Sequence, residues 1–91
     1  MELALFLKFI EKVGADNILC FVFDLGDKII YRNEQKFDIS QVDQDIECIV
    51  YETTDTNDIP VKTYHPISKL HHIFTVDDVN EKGNVNIRYL I

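Results

Sequence analysis

Ile18-Leu19-Cys20-Phe21-Val22-Phe23 is an unbroken run of six apolar side chains, fenced by Asp16-Asn17 before it and by Asp24-Leu25-Gly26-Asp27 after it. Its length and its aromatic and β-branched content are those of a strand. Successive strand residues point to opposite faces, so Ile18, Cys20 and Val22 share one side and Leu19, Phe21 and Phe23 the other. Both sides are apolar, and such a strand needs cover on both faces. A single helix covers one. Either the sheet curls on itself, or irregular segments cross its far side, or a second copy of the chain lies there.

Working outward, Lys28-Ile29-Ile30-Tyr31-Arg32 returns beyond Gly26, which takes the positive φ of a tight turn, and the pair reads as a β-hairpin. On the N-terminal side, Leu3, Phe6, Leu7, Ile10 and Val13 recur at helical spacing, with Lys8, Glu11 and Lys12 opposite. The helix ends where Gly14 supplies a C-terminal cap. Leu5 and Phe9 widen its apolar arc, so that flank packs between layers or is exposed as a homodimer surface; an unpaired strand edge is the other candidate for self-association.

On the C-terminal side, Phe37 and Ile39 alternate with Asp38 and Ser40 as a short strand would. Ile46 to Glu52 is a fuller strand, with Ile46, Cys48 and Val50 expected inward and Glu47, Ile49 and Tyr51 on the other face. After the polar loop Thr53 to Asp58, Pro60 opens a strand over Val61 to Tyr64, which His65-Pro66 ends. Ile67 to Val79 carries both helical and strand periodicity. Strand is preferred, because Asp77 to Asn84 supplies turn residues leading to the alternation of Val85, Ile87, Tyr89 and Ile91; a Thr75-capped helix through Lys82 is the rival. The expected architecture is α+β over a single domain, residues 1–91: the N-terminal helix packed on a curved antiparallel sheet of five or six strands, a meander or partial barrel.

The 91 residues carry a formal charge of −7, all of it between Glu34 and Asp58, where eight acids face Lys36 alone. A localised negative field repels phosphate backbones and attracts basic surfaces, which argues against nucleic acid and for a basic protein partner. No segment reaches the roughly 20 apolar residues of a membrane span, and the N-terminal stretch has no basic leader, so a soluble cytoplasmic protein without a membrane partner is expected. Cys20 and Cys48 lie among large apolar residues and read as buried, reduced thiols.

The chemistry-bearing residues are sparse. His65, His71 and His72 have no chelating spacing, since the adjacent pair diverges on a strand or a helix. An enzyme or ligand-binding domain built on them would need nearby carboxylates such as Asp77 or Asp78. The acidic loops at 43–45 and 55–58 lack the glycine and the glutamate of a calcium loop. Gly14, Gly26 and Gly83 are too dispersed to cradle a phosphate, and neither Ser40 nor Ser68 sits in a nucleophile turn. No catalytic residue, metal or cofactor is expected. What remains is a small, non-enzymatic protein-binding domain. By size and charge alone it fits an inhibitor, an immunity protein or a phage or mobile-element accessory protein. It would dock Asp43, Asp45, Glu47, Tyr51, Glu52, Asp55 and Asp58 on a basic partner, tyrosine adding contact area beside the charges. The alternatives are the histidine-based enzyme and a structural homo-oligomer.

Overall fold

The helical stripe forms α1 (Leu3–Val13) in the computed structural model, which describes residues 1–32 and 35–76 together with the backbone of 85–89. Phe6 and Ile10 are its buried residues. Gly14 ends it at φ +87°, donating its N–H to the Ile10 carbonyl at 2.8 Å, while the Asn17 side chain caps the Val13 carbonyl at 2.8 Å. Positive φ strains any residue with a Cβ, so glycine is the residue this stop calls for.

Seven strands follow among the described residues: β1 (Ile18–Phe23), β2 (Lys28–Ile30), β3 (Val42–Asp43), β4 (Cys48–Thr54), β5 (Pro60–Pro66), β6 (Leu70–Val76) and β7 (Val85–Tyr89). The class is α+β, but the single curved sheet of five or six strands is not what forms. The strands divide into a four-stranded sheet, ordered β2-β1-β6-β7, and a three-stranded sheet, ordered β3-β4-β5, with every pairing antiparallel. The chain changes sheet after β2 and returns after β5. The chain leaves the second sheet through a 3-10 turn at Ile67–Lys69, whose buried Ile67 donates its N–H to the Glu47 carbonyl at 2.9 Å, and β6 then pairs with β1.

Helix and both sheets share one core, which includes Phe6, Ile18, Phe21, Phe23, Ile29, Phe37, Ile49, Ile67 and Ile73. Phe21 is at its centre, with the rings of Phe37, Phe6 and Tyr31 at 5.1, 5.7 and 5.8 Å. The edge-to-face geometry of the Phe37 and Tyr31 contacts adds to the area they bury.

Two local expectations are corrected, and β6 carries a bulge. The strand proposed around Phe37 and Ile39 is a 3-10 turn over Ile39–Gln41, because the Asp38 carboxylate accepts the Ser40 N–H at 2.9 Å and its hydroxyl, offering the backbone an alternative to a ladder. Phe37 is buried and Ile39 exposed. In β4 the core side is that of Ile49, which is fully buried, and of Tyr51, which packs on the core; of the residues expected inward, Cys48 is buried outside that core cluster, Val50 is half-buried, and Ile46 lies exposed in the preceding turn, where Glu47 adopts φ +52°. Both faces of that strand are apolar, so alternation could not choose between them. In β6, Leu70 and Ile73 share the core side because a register shift against β1 falls between Val22 and Phe23, which leaves Phe74 half-buried on the opposite side. The expected turn at 77–84 and the rival helix to Lys82 lie outside the described residues.

Candidate binding groove

β4 and β5 set Val50 opposite Tyr64 and Glu52 opposite Lys62 on the solvent face of the three-stranded sheet. The segment from Gln35 to Asp45 runs beside them, and the space between is an open groove of about 880 Å³. Four of the residues singled out by sequence meet there: Asp43, Asp45, Tyr51 and Glu52. Tyr31, Tyr64, Gln35, Gln41, Gln44, Lys36 and Lys62 join them.

The groove is held by side chains acting on backbone and on one another. Asp43 Oδ1 accepts the N–H groups of Asp45 and Ile46, at 3.0 and 3.4 Å, and so fixes the turn that presents Asp45. Tyr51 donates its hydroxyl to Gln35 Oε1 at 3.2 Å, and Tyr31 donates to Gln41 Oε1 at 3.0 Å. The two tyrosine rings meet edge to face at 5.9 Å. Burial, with Tyr51 and Cys20 adding to it, pushes the Tyr31 phenol well above its ordinary value, so it is a fixed donor and not a base.

The charge is less one-sided than the sequence implied. Lys62 Nζ lies 3.5 Å from Glu52 Oε1, with both side chains largely exposed. With Lys36 also present, the three carboxylates of the groove meet two lysines. Glu47, Asp55 and Asp58 are not among its lining residues. Asp55 Oδ1 instead accepts the N–H groups of Asn57 and Ile59, at 2.8 and 3.0 Å, and shapes the β4–β5 hairpin tip where Asp58 adopts φ +61°. Glu47 precedes β4 and Asp55 follows it, so the 7 residues of that strand, about 23 Å at ~3.3 Å per residue, separate them. The acidic stretch thus forms two clusters and a turn, not one belt.

Sequence reasoning missed Lys62, which lies outside the acidic window and becomes a partner of Glu52 only through cross-strand pairing. It also passed over Tyr31 and Tyr64, which carry no signal beyond their place in strands.

The histidines lie outside the groove. His65 packs on Phe23 with ring centroids 5.0 Å apart and its Nε2 lies 2.9 Å from Thr63 Oγ1. Burial holds it below the ordinary histidine value, against the opposing pull of Asp27. His71 contacts the Asp24 carboxylate, and the rings of His71 and His72 lie 6.0 Å apart. Asp77 and Asp78, the carboxylates first considered for them, lie outside the described residues. Among the described residues no three His, Cys, Asp or Glu side chains are arranged to hold a metal, and no helix is long and apolar enough to cross a membrane. Both cysteines are free; burial raises the thiol of Cys20, partly offset by Lys28, and that of Cys48, to which Asp43 and Glu47 add. No protein-family model matches this chain, and no curated protein and no solved structure is significantly similar to it.

Proposed function

We propose that this chain is a non-enzymatic protein-binding domain that takes a basic segment of a partner into the groove on its three-stranded sheet, in the manner of a small inhibitor, immunity or mobile-element accessory protein. The observation that supports it is the lining of that groove, where Tyr51 and Tyr64 stand among Asp43, Asp45 and Glu52. An arginine or lysine side chain is complementary to both halves, since its cation is attracted to a tyrosine face and its N–H groups to a carboxylate. The Gln44 amide and the Nε2 group of Gln35, whose oxygen Tyr51 engages, offer hydrogen bonds suited to an extended backbone. The formal charge of −7 would steer a basic partner inward and speed encounter more than it tightens the complex.

The test is a titration of the full chain with an acetylated and amidated decapeptide of alternating arginine and glycine, read by calorimetry and by amide chemical shifts. Shifts are expected around Gln41–Asp45, Tyr51–Glu52 and Lys62–Tyr64, with affinity falling as NaCl rises from about 50 to about 300 mM. Asp43→Asn with Asp45→Asn should weaken binding several-fold, the asparagine at 43 keeping its turn-forming oxygen. Asp55→Asn with Asp58→Asn should not. Binding that ignores salt, or that weakens equally with the hairpin-tip pair, would overturn the assignment.

A further inference from the structure

The far face of the four-stranded sheet is apolar and open. α1 and the three-stranded sheet share the core with Phe21, Phe23 and Ile29. Leu19, Cys20, Val22, Ile30 and Phe74 instead line a shallow depression of about 650 Å³ whose other lining residues are Lys28, Tyr31 and His72; the register shift between Ile18 and Cys20 puts Ile18 in the core and Leu19 here, the reverse of simple alternation. Ile30 is 49% exposed, and β1 is the strand whose two apolar faces both require cover.

Charge selects the occupant. A protein of charge −7 repels its own copy most strongly where its negative charge is uncompensated, and that excess lies between residues 34 and 58, largely in the three-stranded sheet and its loops. β1, β2, β6 and β7 contain no aspartate or glutamate, and no carboxylate among the described residues lines the depression. This is the surface on which two copies approach at least electrostatic cost, and it holds both acidic sheets away from the contact. Face-to-face stacking at the usual spacing of about 10 Å would also give helix, sheet, sheet and helix, an ordinary layering for apolar sheet faces.

We infer that a second copy of this chain covers the face, the two four-stranded sheets packing about a two-fold axis through Val22, Ile30 and Phe74. The contact is isologous, so each residue meets the same patch on its partner. Of the residues lining the groove it shares Tyr31, and it responds oppositely to salt: screening the mutual repulsion strengthens the dimer while weakening the capture of a basic segment.

The experiment is a concentration series of the full chain by sedimentation or light scattering, paired with the rate of iodoacetamide labelling at half-buried Cys20, buried Cys48 serving as the internal reference. The mass should rise from 10.6 kDa toward twice that value, more readily at high salt, and Cys20 should label several-fold more slowly at the concentrations where it does. Ile30→Lys, at a half-exposed position, should remain at 10.6 kDa with Cys20 labelled at the monomer rate throughout. A mass that never rises overturns the inference, and so does self-association in which Cys20 keeps its monomer rate. Association abolished by Leu5→Lys but untouched by Ile30→Lys would place the contact on the helix flank instead. The wild-type labelling alone decides the matter if the lysine variant fails to fold.

Discussion

The two sheets of this protein are built to opposite rules. The four-stranded sheet has no carboxylate in any of its strands and presents apolar side chains on both of its faces. The three-stranded sheet buries Ile49 on one face and, beyond buried Cys48, gives most of the other to water, with Glu52, Lys62 and Tyr64 exposed. The first resembles a layer cut from the middle of a sandwich, the second an outer wall. The difference teaches that the net charge of a small protein says little about any one of its surfaces: −7 overall is compatible with a face that carries no negative charge.

The contrast breaks first at Phe21, which is fully buried and touches the rings of Phe6, Phe23, Tyr31 and Phe37. Phe21→Ala should cost about 3–5 kcal/mol in urea unfolding, a large part of what a domain this size possesses. The wall is probed by neighbours in β4. Ile49→Ala should cost about 2–4 kcal/mol and Val50→Ala, on the groove side, well under half as much; equal losses would mean that the second sheet is also covered on both sides.

Leu25 offers a gain. It sits at φ +65° in the β1–β2 turn with its side chain fully in water, disfavoured by its backbone without any compensating burial. Leu25→Asn should stabilise by about 1 kcal/mol, read as a rise in Tm, because asparagine tolerates the left-handed region.

The seam between the sheets is tested by pH, since His65 of β5 packs on Phe23 of β1. Its folded-state value is lowered, so the unfolded chain binds the proton more readily, and stability is fully present above about pH 6.5 and lost as pH falls through the lowered value. The urea midpoint should therefore drop less between pH 7.5 and pH 5.5 in His65→Gln than in the parent chain. The smallest effect belongs to the exposed Glu52–Lys62 pair: Glu52→Gln should change stability by less than about 1 kcal/mol, and that little should vanish at high salt.

Much of the local structure was legible in order along the chain. The limits of α1 and β1 follow from a 3.6-residue stripe and an apolar run, each bounded by glycine or by Asp and Asn. The β4–β5 hairpin follows from two strand-like segments around a polar loop. In the candidate groove, Asp43, Asp45, Tyr51 and Glu52 were legible as a charged stretch with an aromatic among it. Lys62, Tyr31 and the glutamines were not, because their nearness to those acids is made by strand pairing and not by sequence separation.

The sequence by itself determined α1, β1 and the β4–β5 hairpin and where the uncompensated charge lies along the chain, because periodicity, capping and charge are local properties. Only the tertiary structure decided that the strands split into two sheets, that Ile49 rather than Val50 turns inward, and that Lys62 tempers Glu52. Those outcomes depend on which of two apolar faces packs better and which distant strand reaches an open edge. They are competitions between long-range contacts of nearly equal merit, which no local pattern records.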